Sequence, residues 1–309
     1  MESGSAIETG LGFLPEAGPT REVCRIAEEG PWDYLATGEH IMFHGPATNG
    51  MVALAWAAGQ TSRVRLLTSI TLVPLYPPVL LAKQAAELDR LSGGRLALGV
   101  GIGGESPLEF GAAGVPRHER GARTDEALVV ARRLWTGQEV TFDGRFCAFE
   151  AGRLQPPPAQ PGGPPVWVAG RAEAAVRRAG RLGDVWYPYL YSPERLARSL
   201  VLLRQAEAEA GRPPGSVGSA VLCFVNAGPD AAGAHREAVA AVSYTYQTDF
   251  SGAPGRYLVT GTPAMVARRL AELVEAGAGK VVLQPSCPPE EAVTQSRRLG
   301  EEVVPALRG

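Results

Sequence analysis

Two neighbouring side chains, Glu39 and His40, follow a short apolar segment and could carry out acid–base chemistry. An imidazole has an ordinary pKa of about 6.5 and can therefore donate or accept a proton near neutral pH. A histidine in this place could instead only line the protein interior with a hydrogen-bonded ring. The sequence leaves both roles open for His40.

His44 lies four residues after His40, and together with Glu39 the two histidines could form a metal site. Histidines at this spacing share one face only when they lie on a helix. The segment HIMFH leaves a strand for a loop, and Pro46 follows it. We therefore expect no metal. A metal-dependent hydrolase that uses Glu39, His40 and His44 is the alternative.

Two glycine-containing segments could accept a cofactor. The segment AGRA, residues 169–172, opens a predicted helix, whose free N–H groups and dipole favour an anion such as phosphate. Arg171 could add positive charge there or face solvent. The segment GVGIGG, residues 99–104, is similar to a dinucleotide-binding motif only superficially, because that motif requires a helix directly after it. A plain turn is its alternative.

The elements that must position these residues alternate regularly along the chain. Apolar strand-like segments are followed by helical patterns, and segments such as LALGV are apolar on both faces, as buried parallel strands are. Eight strands in this order predict an α/β fold, a single (β/α)8 TIM barrel domain over residues 1–309, with its active site at the C-terminal ends of the strands. The predicted strands are Leu11–Leu14, Tyr34–Thr37, Val64–Ile70, Leu96–Gly101, Val166–Ala169, Val185–Tyr189, Val217–Val225 and Lys280–Gln284.

Three insertions interrupt the alternation. We predict an extended loop over Glu105–Arg123, a hairpin over Val140–Glu150 with a tight turn at Asp143-Gly144, and an aromatic, glycine-rich connection over Ser243–Tyr257. Within the segment ERGARTDE, residues 119–126, we predict that Arg120 and Arg123 pair with Asp125 or Glu126 around the start of a helix.

Composition excludes several classes of protein. The net charge of −2 and the pI of about 6.2 give no reason to expect nucleic acid as a partner. No apolar run reaches the roughly 18 residues of a membrane span, and the opening MESGSAIETG lacks the features of a secretory signal. The four cysteines are far apart, which argues against a disulfide framework and favours the cytoplasm.

The segment PPVLLAKQAAELDRLSGGRLALGVGIGG, residues 77–104, resembles the bacterial-luciferase-like superfamily, in particular its deazaflavin (coenzyme F420) dependent oxidoreductases. Further similar segments follow in the family's order. They are YLATGEH at 34–40, ERGARTDEALVVARRLWTG at 119–137, VTFDGRF at 140–146, PPVWVAG at 164–170 and AGRLGDVW at 179–186. The resemblance is dense over residues 10–190 and looser beyond. It implies a (β/α)8 barrel and a homodimer.

The resemblance also implies a cofactor site. A deazaflavin or flavin needs a flat apolar slot, a backbone support behind one ring face and a phosphate anchor. In relatives a cis peptide bond supports the ring, and the corresponding bond here would be Ser69–Ile70. The alternative is that these residues form an ordinary strand end. Glu39 would approach the cofactor, and His40 would lie near the hydride-transfer carbon. The other implied cofactor contacts are Ile102, Gly103, Gly104, Ala169, Gly170, Arg171, Ala172 and Tyr189.

These implications lead to an oxidoreductase that transfers a hydride between coenzyme F420 and an organic small molecule. Its alternatives are a monooxygenase that uses reduced FMN and a cofactor-binding relative without activity. Glu105 would be a second acid. Relatives that oxidise sugar phosphates have their glutamate one position earlier, where this chain has Gly104. The alternative is therefore that Glu105 is only a solvated carboxylate in the loop. Phe13, His44 and Tyr187 would shape an apolar substrate pocket. Relatives that act on sugar phosphates need cationic side chains, often lysines, in their late loops. Lys280 is the only lysine in the second half of this chain and lies in a predicted strand, so a phosphorylated sugar is not expected.

Overall fold

Eight parallel strands close into a barrel in the computed structural model, which describes residues 7–15, 20–252 and 257–308. Each barrel strand pairs in parallel with the next, and the ring closes where the last strand pairs with the first, Leu11 opposite Leu283. The predicted (β/α)8 barrel is confirmed. Its strands are β1 Glu8–Gly12, β2 Tyr34–Thr37, β3 Arg65–Thr68, β5 Leu96–Gly101, β8 Val166–Ala169, β9 Val185–Tyr187, β10 Gly218–Ala227 and β12 Lys280–Pro285.

Four further strands lie outside the ring. The two-residue β4, Thr71–Leu72, pairs with the end of β5, and β11, Val259–Gly261, pairs with the end of β10. The antiparallel hairpin of β6, Val140–Asp143, and β7, Ala148–Gly152, confirms the predicted hairpin. The predicted position of the tight turn, Asp143-Gly144, was wrong. Asp143 still pairs with Ala148, and the loop comprises the four residues 144–147.

Helices cover the outside of the barrel and return the chain to its N-terminal face. A five-residue π-helical segment at Leu299–Val303 joins the last two. The helices are α1 Thr20–Glu29, α2 Gly50–Ala58, α3 Pro78–Leu91, α4 Pro107–Ala112, α5 Arg120–Leu134, α6 Glu173–Leu182, α7 Pro193–Glu209, α8 Ala231–Tyr246, α9 Pro263–Glu275, α10 Ala292–Arg298 and α11 Val304–Arg308. The part of the chain that the structure describes contains no helix long and apolar enough to cross a membrane.

Local side-chain chemistry sets several helix boundaries. The side chain of Asn49 accepts a hydrogen bond from the Val52 amide at the start of α2, and Ser192 and Thr262 act in the same way before α7 and α9. Gly277, with φ of +107°, follows α9 in a conformation that only glycine adopts readily. These contacts fix where α2, α7 and α9 begin and where α9 ends.

Two predictions about the segment after β5 were wrong. The expected extended loop over Glu105–Arg123 contains α4 and the start of α5, because Phe110 is buried against the core and anchors a short helix. Arg120 and Arg123 do not pair with Asp125 or Glu126. Arg123 instead pairs with Glu119, one helical turn earlier.

The other two acidic residues of this segment have different partners. Asp125 pairs with Arg178 and Arg181 of α6, whereas Glu126 accepts hydrogen bonds from the backbone amides of the hairpin loop. Asp125 and Glu126 of α5 therefore connect this helix to neighbouring elements, whereas Arg123 pairs along its axis. The aromatic connection predicted over Ser243–Tyr257 begins inside α8, and its residues 253–256 lie outside the described residues.

The barrel interior depends on a close approach of β5 to β3. Thr68 donates a hydrogen bond from its hydroxyl to the Gly99 carbonyl at 2.7 Å, and a Cβ on Gly99 would lie 1.9 Å from the Thr68 carbonyl oxygen. Only glycine therefore allows this approach. The aromatic rings of Tyr34, Trp167 and Tyr187 then fill the barrel in edge-to-face contacts.

Gly99→Ala is expected to lower the free energy of unfolding by about 1–3 kcal/mol, because the added methyl group meets rigid backbone rather than a flexible side chain. Chemical denaturation followed by circular dichroism measures this loss. Gly111→Ala is the matched control, since a Cβ there has no described atom within 4 Å and alanine favours the helix. Equal stability of the two variants would contradict the prediction.

Candidate active site

A cavity of about 760 Å³ opens at the C-terminal ends of the barrel strands. Its floor consists of residues at or just after the ends of β1, β2, β3, β8 and β9, together with Leu222 of β10, and α8 and the segment after β12 form one wall. Predicted site residues among its lining are Phe13, Glu39, His40, Ser69, Ile70, Glu105, Ala169, Tyr187 and Tyr189. The structure thus brings residues from distant parts of the sequence to one chamber.

His40 is held in the chamber by a buried carboxylate. Its Nδ1 lies 3.1 and 3.2 Å from the two carboxylate oxygens of Glu109, a residue of α4 with no exposed surface. Because a carboxylate only accepts hydrogen bonds, Nδ1 must carry the proton. Nε2 is then the nitrogen available to the cavity. The ring also stacks on Phe43 at a centroid distance of 3.7 Å.

Glu109 also holds the backbone after β2. The amides of Ile41 and Met42 donate to its Oε1 at 2.6 and 3.3 Å. Ser106, which precedes α4, donates from its hydroxyl to the Met42 carbonyl at 2.9 Å. The short helix α4 therefore fixes both the His40 ring and the loop that carries it.

Our sequence interpretation did not include Glu109, although a signal was present. Ser106 and Glu109 have the spacing S-x-x-E that commonly opens a helix, and Pro107 suits the first turn. This pattern could have replaced the predicted loop by a helix. It could not have identified His40 as the partner of Glu109.

Glu39 lies at the edge of the same cavity and is almost fully buried. Its carboxylate accepts hydrogen bonds from the Leu72 amide at 2.7 Å, the Tyr76 hydroxyl at 2.9 Å and the Asn49 side chain at 3.3 Å. Burial raises the pKa of Glu39 above its usual value, and the nearby Glu109 charge adds to this, while the Leu72 and Tyr76 hydrogen bonds oppose it.

The raised pKa of Glu39 makes protein stability depend on pH. Folding favours the protonated form of Glu39. The stability that Glu39 contributes is therefore complete below its ordinary pKa of 4.5 and is lost as the pH rises through its pKa in the folded protein. We expect the free energy of unfolding of the wild type to fall, relative to Glu39→Gln, as the pH increases over this range. Urea denaturation of both proteins at several pH values tests this.

The difference between the two proteins is the quantity to follow, because any hydrogen bond that glutamine loses shifts stability by the same amount at every pH. Parallel curves for the wild type and Glu39→Gln would contradict the raised pKa of Glu39.

The Ser69–Ile70 peptide bond is cis, as predicted. The Ser69 hydroxyl lies 3.0 Å from the hydroxyl of Tyr187, whose complete burial raises its pKa and keeps the phenol neutral. The Ile70 side chain extends over Gly101, where a Cβ would lie 2.4 Å from Ile70 Cδ1. Ser69, Ile70 and Tyr187 together form a neutral, mostly apolar part of the floor.

The predicted phosphate segment lies at the start of α6. Gly170 has φ of +132°, and Ala172 precedes the helix without a side-chain cap, which leaves amide groups of the first turn free to bind an anion. Ala169 lines the cavity, whereas Arg171 and Ala172 are exposed. The Arg171 guanidinium lies 4.7 Å from the centroid of the Tyr189 ring.

Other predicted residues lie at the margin. Glu105 is exposed at the mouth, where it accepts a hydrogen bond from the Tyr189 hydroxyl at 3.2 Å. His44 is exposed and does not line the cavity. Ile102, Gly103, Gly104 and Gly170 are half-buried and also do not contribute to the lining. Within residues 7–15, 20–252 and 257–308, no group of three or more His, Cys, Asp or Glu side chains is arranged to hold a metal ion.

Comparison with known proteins identifies similar sequences with two kinds of cofactor. The chain is 35% identical over 156 residues to the F420-dependent glucose-6-phosphate dehydrogenase of Kineococcus radiotolerans, covering 49% of this chain and 44% of that protein. It is 35% identical over 152 residues to the oxygenase component of the flavin-dependent trigonelline monooxygenase of Acinetobacter baylyi, covering 48% and 42%. An uncharacterised protein of Mycobacterium tuberculosis is 35% identical over 182 residues, covering 59% and 62%. The chain thus spans less than two thirds of each of these relatives.

Solved structures match over nearly the whole chain. The monooxygenase RslO1 from Streptomyces bottropensis superposes with a TM-score of 0.83 at 27% identity, covering 97% of this chain and 99% of that one. An F420-dependent secondary alcohol dehydrogenase has the same fold, with a TM-score of 0.83 at 22% identity and coverage of 99% and 100%. The family model of the luciferase-like monooxygenases matches residues 2–280. The chain therefore belongs to the luciferase-like monooxygenase family.

Proposed function

We propose that this protein transfers a hydride between coenzyme F420 and an organic small molecule, with His40 as the residue that moves the accompanying proton. The observation that carries the proposal is the His40–Glu109 pair at the floor of the cavity, beside Ser69 and Ile70. An imidazole held in one orientation by a buried carboxylate is suited to proton transfer. The F420-dependent dehydrogenase among the relatives agrees with this assignment.

The residues present fit a deazaflavin. Ile70, Ala169 and Leu222 give the chamber an apolar floor for a flat ring, and the uncapped start of α6 can accept its phosphate. Ser69 and Ile70 would support the ring, Glu39 would lie at its edge, and the 170–172 backbone with Arg171 would hold the phosphate. When bound, the cofactor supplies or accepts the hydride.

The protein's own residues then organise the proton. Glu109 accepts from Nδ1 of His40, which leaves Nε2 to take the hydroxyl proton of an alcohol or, in the opposite direction, to return it to a carbonyl oxygen. The imidazolium that forms during alcohol oxidation is stabilised by the buried Glu109 carboxylate. Phe13, Tyr187 and the wall from α8 exclude water and position the substrate against the ring.

A monooxygenase that uses reduced FMN is the second candidate. The similarity to the trigonelline monooxygenase and to RslO1 supports it, because the first uses a flavin and the second is a monooxygenase. The same chamber would accept either tricyclic ring.

The cavity lining favours a substrate without negative charge. The described part of the lining contains no lysine or arginine, whereas Glu39, Glu105 and Glu237 contribute carboxyl groups. A phosphorylated sugar would therefore find no cationic side chain there. We propose a neutral, partly apolar alcohol or carbonyl compound as the substrate.

An anaerobic turnover assay separates the two candidate functions. The protein is incubated with oxidised F420 and a panel of neutral alcohols, or with reduced F420 and the matching ketones, and the cofactor absorbance is followed. In parallel, oxygen consumption is measured with enzymatically reduced FMN. Turnover of F420 without oxygen supports the proposal. Turnover only with reduced FMN and oxygen would assign the monooxygenase instead.

We propose that the protein is a homodimer in the cytoplasm. Helix α2 exposes Val52 and Trp56, and the start of α3 exposes Val79 and Leu80, which gives a second copy an apolar face to cover. Its four cysteines are free thiols, consistent with a reducing compartment. Trp56→Glu is expected to convert a dimer to a monomer in light scattering. A wild-type monomer would contradict the proposed dimer.

A further inference from the structure

Four arginines surround one side of the cavity mouth. Arg117 and Arg120 precede and begin α5, while Arg171 and Arg195 lie next to the starts of α6 and α7. We refer to these four residues as the arginine cluster. The proposed hydride transfer assigns a role only to Arg171, as part of the phosphate site.

A chain of contacts connects the two halves of the cluster. Arg171 stacks on Tyr189, and Tyr189 donates its hydroxyl to Glu105. Gly104, next to Glu105, accepts a hydrogen bond from the Arg117 guanidinium at 2.8 Å. A Cβ on Gly104 would lie 3.6 Å from Arg117 and 3.8 Å from Arg120.

The starts of α5 and α6 are also direct neighbours. Arg178 of α6 donates to the Gly121 carbonyl of α5 at 3.3 Å. The arginine cluster therefore covers one continuous stretch of the mouth, on the side where the proposed phosphate site lies.

The fold itself holds the cluster in place through backbone carbonyls. Arg120 donates to the Arg117 carbonyl at 2.9 Å, and Arg195 donates to the Arg171 carbonyl at 2.8 Å. Arg195 also stacks on Tyr191, with 4.3 Å between its guanidinium and the ring centroid. These contacts orient the guanidinium groups without neutralising their charge.

Among the described residues, no carboxylate lies within ion-pair distance of any guanidinium of the cluster. Neighbouring arginines differ in this respect, since Arg123 and Arg178 both have acidic partners. Of the acids next to the cluster, Glu119 pairs with Arg123 and Arg145 and Glu173 pairs with Arg177, while the Glu105 carboxylate accepts from the Tyr189 hydroxyl.

One atom of the cluster is also buried without a partner. Arg120 Nε has almost no accessible surface and no hydrogen-bond partner among the described atoms. A buried N–H group without an acceptor is costly, and a side-chain movement that brought it to a ligand oxygen would satisfy it. The excess of positive charge in the cluster indicates an anionic ligand.

We infer that the arginine cluster binds the anionic tail of coenzyme F420, the phosphodiester near Arg171 and the glutamyl carboxylates near Arg117 and Arg120. This inference rests on the proposed function. Guanidinium groups bind phosphate and carboxylate oxygens through paired hydrogen bonds. FMN ends at its phosphate and offers no further carboxylates to Arg117 and Arg120. The four arginines do not line the reaction cavity, which places their ligand outside the substrate chamber.

Equilibrium fluorescence titrations at low ionic strength test this inference with three ligands. These are F420 with several glutamyl residues, a form cut back to its phosphate, and the ring-ribityl fragment without phosphate. We expect the wild type to bind the glutamylated form about tenfold more tightly than the phosphate form, because several partly exposed ion pairs each contribute modestly. High salt should remove most of this difference.

The variants isolate the arginines. In the double variant Arg117→Ala with Arg120→Ala, the glutamylated form should bind only about onefold to threefold more tightly than the phosphate form. Binding of the ring-ribityl fragment should be unchanged. Arg117→Lys with Arg120→Lys should recover part of it, because the charge is retained. Arg268→Ala, an exposed arginine on α9, is the control and should bind all three ligands like the wild type. Arg117→Ala alone, at an exposed position, gives the same test without disturbing the start of α5.

The possible outcomes are distinct. If the wild type binds all three ligands with equal affinity, or the alanine variants keep the full advantage of the tail, the inference is wrong while F420 remains the cofactor. If none of the three ligands binds, the proposed function fails together with the inference.

Discussion

His40→Ala is expected to lower kcat by about 100- to 10,000-fold, the range that a positioned general acid or base contributes. The imidazole lines the chamber floor, and Glu109 fixes its orientation through Nδ1. The variant should retain its affinity for the cofactor, because the proposed ring and phosphate contacts come from other residues. Turnover and cofactor titration of the same preparation measure both quantities.

His235→Ala is the control for this substitution. His235 contacts Thr260 between α8 and β11 and does not line the cavity, so this variant should turn over normally. Full activity of His40→Ala together with normal cofactor binding would show that His40 only lines the barrel. The proton would then move through another group.

Glu109→Ala is expected to cost about 1–3 kcal/mol of folding free energy, because it removes a buried carboxylate that accepts from three partly buried donors. Those donors are Nδ1 of His40 and the amides of Ile41 and Met42. Because the same change releases the His40 ring, kcat should also fall by about 100-fold. Urea denaturation and steady-state kinetics measure the two losses.

Glu109→Gln separates the positioning role of Glu109 from its role in stability. Glutamine keeps the size of the side chain and one acceptor oxygen, so most of the stability should return. It cannot stabilise a charged imidazole as a carboxylate does, so kcat should remain at least about tenfold below the wild type while KM and cofactor affinity change little. Wild-type kcat in Glu109→Gln would contradict this role.

Much of the barrel could be predicted from the sequence because each strand is a local signal. Segments such as LALGV are apolar on both faces, as buried parallel strands are. The residues at the two ends of α9 likewise mark its boundaries, with Thr262-Pro263 at the start and Gly277 after the end. The family resemblance added the cis bond at Ser69–Ile70, which no local pattern indicates. Helix α4 was missed because its six residues are too few to show a helical period.

The side-chain partners could not be predicted in the same way. Glu109 and His40 are 69 residues apart in sequence, and only barrel closure brings the loop after β5 against the loop after β2. Arg123 had several acids within reach along the chain, and tertiary packing directed Asp125 to α6 instead. His44 is close to His40 in sequence, yet it is exposed and does not line the cavity, although Phe43 and Gly45 on either side of it do.

The most direct test of the central claim is an equilibrium titration of the purified protein with coenzyme F420 and with FMN, each oxidised and each reduced without oxygen. The account predicts tight binding of F420 and weak binding of FMN in both redox states, with His40→Ala unchanged in affinity. Preference for reduced FMN, or binding of neither cofactor, would contradict a deazaflavin enzyme built on this barrel.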